Sequence, residues 1–230
     1  MENLKKKMKE RKNIKTPIVI LNFKAYEEAV GDNAIKLAKT CYEVSKIKNA
    51  EIMIAVQPAD IFRIASKFKI KVLAQHVDIE FGKYTGSINA KAVKEARAYG
   101  TLLNHAEKKI SVEKIKSTID FCKRIGLKVV ACAANLEEAK AISGLKPDFV
   151  AFEIPELIGT EKSITEEAPS SVKRFVEITK SANTIPLCGA GINSREDLET
   201  ALALGTKGVL LSSAFVKAKN PKRFLLELIP

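Results

Sequence analysis

Tryptophan is absent from the 230 residues, aromatic side chains make up only 6%, and histidine occurs twice, as His76 and His105. Two imidazoles do not readily complete a metal site. The four cysteines, Cys41, Cys122, Cys132 and Cys188, are widely spaced and form no Cys-x-x-Cys pair, so no metal is expected. In a reducing compartment such thiols pack as small hydrophobes, and buried free cysteines without chemistry are the expectation. No apolar run approaches the roughly 18 residues of a spanning helix, and charge occupies the N-terminus where a secretory signal needs an apolar stretch. These absences predict a soluble, cytoplasmic protein with no membrane partner.

Charge of one sign is in excess, at +12 overall, which raises nucleic acid as a partner. The excess is partly local. Residues 1–15 carry seven Lys or Arg against Glu2 and Glu10, which leaves the rest only mildly basic. No aromatic residue interleaves with this tail as a base-stacking platform requires, so no nucleic-acid partner is expected. Glutamine is nearly missing too, as Gln57 and Gln75 alone, and with abundant Lys, Glu and Ile this fits the drift of heat-adapted proteins.

What is present is an alternation. Short apolar runs at Ile18–Leu21, Glu51–Val56, Lys71–Ala74, Thr101–Leu103, Lys128–Cys132, Asp148–Phe152, Ile185–Cys188 and Lys207–Leu211 read as strands buried on both faces. Between them lie helical patterns. Asn33–Val44 carries Ala34, Ile35, Leu37, Ala38 and Cys41 on one stripe, and Val112–Ile125 spaces Val112, Ile115, Ile119 and Cys122 at three and four behind a Ser111 N-cap. Eight such units in a chain of this length predict a single-domain α/β protein, a (β/α)8 barrel over residues 16–230 preceded by a basic extension over 1–15. An open doubly wound sheet is the runner-up, but the turn after the first strand reads Asn-Phe-Lys-Ala-Tyr instead of Gly-x-Gly-x-x-Gly. Two long excursions, His76–Ser87 and Pro155–Glu167, break the rhythm, and such loops in a compact barrel are usually functional or interfacial.

Three strand ends carry chemistry: Asn22-Phe23-Lys24 after the first, Asn104-His105 after the fourth, and Glu153 after the sixth. A closed barrel points all its strand C-termini to one rim, so a cation, an imidazole and a carboxylate would converge there. A glutamate ending an otherwise apolar strand is unusual for a residue normally solvated. His76 lacks such a setting and reads as structural.

The run Asn104-His105-Ala106-Glu107-Lys108-Lys109 and the run Phe152-Glu153-Ile154-Pro155-Glu156-Leu157-Ile158-Gly159-Thr160 closely resemble the two signature segments of the triosephosphate isomerase family. Asn22-Phe23-Lys24 resembles its first-strand motif, and the likeness extends through Ala74-Gln75, Tyr84-Thr85-Gly86, Cys188-Gly189-Ala190-Gly191 and Leu210-Leu211-Ser212-Ser213. The wording Pro-Glu-Leu-Ile-Gly-Thr looks like the archaeal branch. The resemblance implies isomerisation between dihydroxyacetone phosphate and glyceraldehyde 3-phosphate without a cofactor. Glu153 would be the base, His105 a neutral electrophile, and Lys24, oriented by Asn22, a cation beside the phosphate and the enediolate. Gly191, Ser212 and Ser213 would hold phosphate through backbone N–H groups after strands seven and eight, where barrel phosphate sites usually lie. Ile158 and Gly159 would form the tip of a closing loop.

Three positions depart from the family's pattern. Ala106 stands where a serine usually follows the histidine, Ile154 where a proline follows the base, and Glu161 where a glycine follows Ile-Gly-Thr. The first removes a hydroxyl from the resting base, and the others bear on the loop's hinges. The family assembles through the loop after the third strand, so Tyr84-Thr85-Gly86 implies a homo-oligomer, and the archaeal likeness a homotetramer. The alternatives are another phosphate-sugar barrel isomerase or metal-dependent epimerase, which would need ligands that two histidines do not readily supply, and a non-enzymatic polyanion-binding barrel.

Overall fold

The computed structural model describes residues 15–160 and 162–230; residues 1–14, most of the basic extension, and Glu161 lie outside the described residues. Eight strands follow in chain order: β1 (Ile18–Asn22), β2 (Glu51–Val56), β3 (Lys71–Ala74), β4 (Gly100–Leu103), β5 (Lys128–Ala133), β6 (Phe149–Phe152), β7 (Ile185–Gly189) and β8 (Gly208–Leu211). Each pairs in parallel with the next, and β8 pairs with β1, so the sheet closes. The open-sheet alternative is thereby excluded.

Strand periodicity divides the core in two. Ile18 and Ile20 of β1 point inward with Met53, Leu73, Leu102, Val130, Phe149 and Leu210, filling the barrel. Val19 and Leu21 face outward and pack with Ile52, Ile54, Val56 and the helices. Because successive side chains alternate between faces, strands buried on both faces must be apolar throughout, which is why their sequences read as continuous runs. Each fully buried Val, Leu, Ile or Phe contributes ~1.5–3 kcal/mol relative to exposure.

The helix expected over 33–44 extends across Gly31–Ile47 and buries Ala34, Leu37, Ala38, Cys41 and Val44; Ile35 is only partly buried. The helix over Val112–Ile125 has the expected bounds, with the Ser111 side chain accepting from the Lys114 N–H at 3.3 Å. Its stripe differs in one place: Val112 is 45% exposed, and Thr118 is buried with Ile115, Ile119 and Cys122. Val112 is the first helical residue, flanked by exposed Ser111 and Glu113, so it sits at the helix end instead of over the core. All four cysteines are buried and free. No helix among the described residues is long and apolar enough to cross a membrane.

The excursion after β3 is tied at its base. Asp78 N–H donates to the Ile88 carbonyl at 2.7 Å, Ala90 N–H to the Asp78 carbonyl at 2.8 Å, and the Asp78 carboxylate accepts from Ile88 N–H at 3.0 Å. Its tip, residues 81–87, is exposed.

Candidate active site

Lys24, His105 and Glu153 all border one cavity at the C-terminal rim. Lys24 lies just past β1 with φ 49, in the left-handed region; Asn104 and Ala190, beyond β4 and β7, have φ 58 and 72. Asparagine tolerates this conformation, but lysine and alanine do not, and each such residue costs of order 1–3 kcal/mol unless its surroundings hold it. At Lys24 they do. Asn22, only 3% exposed, accepts the Lys24 backbone N–H at 3.0 Å, while the Lys24 carbonyl receives donors from both Gln57 and Gln75. The Asn22 side chain therefore orients the lysine main chain, not its ammonium. The ammonium is 2.7 Å from a carboxylate oxygen of Glu107.

His105 is 6% exposed, and its protonation pattern follows from one bond. The backbone N–H of Glu107 points at Nδ1 at 3.2 Å, so Nδ1 is the acceptor and the ring's single proton is on Nε2. Nε2 has no hydrogen-bond partner and is 3.8 Å from Oε2 of Glu153. The ring so held turns Nε2 toward the cavity, where it could offer its N–H to a bound oxygen. Asn104 fixes the loop carrying it: its amide donates to the Cys132 carbonyl at 3.0 Å and to Glu138 at 2.8 Å, and its oxygen accepts from Ile110 N–H. Glu138 is held in turn by Lys109 and by the Ala134 N–H at 2.6 Å. Burial pushes the Glu138 carboxyl upward, but these donors outweigh it and leave the pKa below the ordinary range.

Glu153 follows directly on β6 and is 4% exposed, with Oε2 unpartnered. With Ala106 in place of a hydroxyl residue, that oxygen has no donor from the His105 loop. Gly189 leaves the room the carboxyl occupies: a Cβ there would stand 2.7 Å from Glu153 Cγ and 2.9 Å from Oε1. The Cys132 thiol faces the barrel interior beside the carboxylate, whereas Cys188 faces outward into the helix-side core. Burial raises the Cys132 thiol well above its ordinary pKa, and the Glu153 charge raises it further; burial also pushes the Cys188 thiol up to about 12. Both therefore stay neutral and add no competing charge.

On the other side of the base, Gly191, Ser212, Ser213, Ile158 and Gly159 complete the lining. The remaining space is small, about 30 Å³, and Lys24 and His105 also border a second cleft of about 280 Å³ lined by Asn22, Gln57, Gln75 and Glu107. Gly191 has φ 68, and a Cβ on it would run into the backbone of Lys162. Ser212 precedes the short helix Ser213–Val216, whose first N–H groups have no intrahelical acceptor, but its side chain makes no cap bond and its hydroxyl is buried without a partner. Half-buried Ile158 and exposed Gly159 follow the 3-10 turn Pro155–Leu157, so the expected loop tip stands over the cavity. Ile154 packs against the core, and Glu161 lies outside the described residues.

The structure brings the residues expected from the sequence to one rim, Asn22 along the adjoining cleft, and adds Gln57, Gln75, Glu107, Cys132 and Gly189. Gln75, Glu107 and Gly189 stand in stretches that resemble the family and Gln57 directly follows a strand, but which side chains they meet depends on neighbouring strands and is not legible in the sequence. Among the described residues, no three His, Cys, Asp or Glu side chains gather where they could hold a metal ion.

A buried carboxylate, an imidazole and an ammonium around a small cavity with unused N–H donors equip a (β/α)8-barrel enzyme to move protons on a small anionic carbonyl compound. A family model described as triosephosphate isomerase matches residues 17–229. The chain belongs to the triosephosphate isomerase family. Similar curated proteins, each named triosephosphate isomerase, come from Methanobacterium bryantii, 46% identical over 93% of this chain and 96% of the relative, and from Methanosarcina mazei, 41% identical over 93% and 98%. Another, from Methanocaldococcus jannaschii, is 40% identical over 92% and 98%. The archaeal likeness read from the loop wording is met by these relatives.

Proposed function

We propose that Glu153 is the base, His105 the electrophile and Lys24 the cation with which this chain interconverts dihydroxyacetone phosphate and D-glyceraldehyde 3-phosphate, a step of glycolysis and gluconeogenesis. Glu153 takes a proton from the carbon beside the carbonyl, and the electron pair moves onto the carbonyl oxygen to give an enediolate. The Nε2–H of His105 and the Lys24 ammonium stabilise that oxygen, and the imidazole passes protons between the two oxygens. Glu153 then returns its proton to the neighbouring carbon. The observation that carries this reading is the buried Oε2 of Glu153 lying 3.8 Å from an imidazole nitrogen whose ring partner is already engaged.

The phosphate is assigned to the backbone N–H groups of Gly191, Ser212 and Ser213, with Ile158 and Gly159 closing over it to exclude water. The exposed apolar tip, with Phe81 58% and Tyr84 55% exposed, supports assembly through the loop after β3, as a homotetramer. Four buried reduced thiols suit a cytoplasmic setting.

Turnover in deuterated water tests the proton-transfer reading. Carbon-bound deuterium is expected in part of the wild-type product, because the proton held on the Glu153 carboxyl can exchange with solvent before it returns, and Glu153→Gln is expected to abolish this exchange together with turnover; exchange of carbon-bound hydrogen at the wild-type rate in Glu153→Gln would overturn the base assignment.

A further inference from the structure

The chain contains two glutamines, and both donate to the same carbonyl oxygen. Gln57 follows β2, Gln75 follows β3, and the acceptor is Lys24, past β1. The Gln57 amide donates to that oxygen at 2.9 Å and the Gln75 amide at 2.8 Å, using both its lone pairs. The two side chains are also locked to each other. Gln57 Nε2 donates to Gln75 Oε1 at 2.8 Å, and Gln75 Nε2 also approaches the Ala55 carbonyl at 3.3 Å.

We infer that Gln57 and Gln75 are positioning residues: a paired-amide clamp that holds Lys24 in its left-handed conformation and so fixes where its ammonium stands in the site. A lysine at φ 49 sheds strain by rotating φ back to the negative side, which swings its Cβ away from the cavity. Asn22 holds the peptide N–H before the Cα, and the glutamines hold the carbonyl after it. With both peptide planes fixed, the Cα–Cβ direction is fixed too. The Glu107 contact holds only the tip of a flexible side chain and cannot replace this. Glutamine suits the task because its amide reaches a carbonyl across a neighbouring strand end, while the Gln75 oxygen also accepts from the Gln57 amide.

The inference rests on Lys24 acting as the site's cation, so the test measures kcat and KM of isomerisation for Gln57→Met and Gln75→Met, for Lys24→Ala, and for each glutamine change combined with Lys24→Ala. Methionine keeps the volume and removes the donors; Gln57→Glu and Gln75→Glu, which keep shape and polarity, serve if a methionine variant fails to fold, with thermal melting as the check. Each glutamine change is expected to lower kcat/KM ~10- to 100-fold, the scale of an ångström misplacement of a reacting group, and to cost nothing further once Lys24 is alanine. Equal losses in both backgrounds, or unchanged kcat/KM in the single variants, would overturn the clamp. Full activity in Lys24→Ala would instead refute the cation role itself, so the two failures are distinguishable.

Discussion

At the scale of single residues, the site depends on where charge is placed and on what has been left out. Lys24 is one of 39 Lys or Arg, and its surroundings alone distinguish it. Lys24→Ala is expected to lower kcat/KM by more than 100-fold, given that one preorganised donor is commonly worth about 10²–10³, whereas Lys36→Ala on the outer helix leaves it unchanged. Equal effects in a steady-state assay would return Lys24 to the anonymous surface. Gly189 acts by absence: Gly189→Ala puts a methyl group inside the contact distance of the Glu153 carboxyl. Turnover should fall about 100-fold as the base is displaced, and the melting temperature should fall as well, because the same methyl stands 2.9 Å from the Leu210 carbonyl oxygen. A fully active Gly189→Ala would show that the carboxyl has room to retreat. Neither glycine nor cysteine announces such a part in the sequence. Cys132 and Cys188 read as inert buried thiols, and chemically they are, yet Cys132 stands beside the base.

At the scale of elements, the strands were the most legible, because a strand apolar on both faces leaves a compact mark. β2 and β3 have the expected bounds, and the other six differ by a residue at one end. Helix stripes were legible in their middles and misread at an end, as Val112 shows, since periodicity cannot tell where a helix passes beyond the core. The loop after β3 was visible as an interruption and, through Tyr84-Thr85-Gly86, as a family likeness, but the bonds that tie its base were hidden. His76, 4% exposed, sits in that loop's base with Nε2 3.2 Å from Asp78, and Nδ1 is buried without a partner. Burial lowers its pKa below the ordinary 6.5; the Asp78 carboxylate works against that shift, and Lys108 and Lys114 reinforce it. The unfolded chain therefore binds a proton that the folded chain resists, and stability, complete above about pH 6.5, declines as pH falls below it. Thermal melting from pH 7.5 to 5 should show this slope in the wild type and a shallower one in His76→Gln. Identical slopes would remove His76 from the account.

At the scale of the whole molecule, closure of the barrel makes residues as distant as Lys24 and Glu107, 83 positions apart, into an ion pair. Individual members of the site could be read from strand ends, but their mutual contacts could not, because register and loop path decide which side chains meet. The exposed loop tip gives the assembly prediction. The wild type should sediment as an oligomer, and Tyr84→Asp, at a residue 55% exposed in the single chain, should shift it to a smaller species with unchanged far-ultraviolet circular dichroism. A stable, fully active wild-type monomer would contradict that assembly.

The most direct test of the central claim is a coupled assay for conversion of glyceraldehyde 3-phosphate to dihydroxyacetone phosphate, run on wild type beside Glu153→Gln. Inorganic phosphate affinity and circular dichroism are measured on both. The account predicts turnover in the wild type, a loss of at least 10³-fold in Glu153→Gln, about the span of general base catalysis, and phosphate affinity and fold retained in both. Near-normal turnover by Glu153→Gln would contradict it.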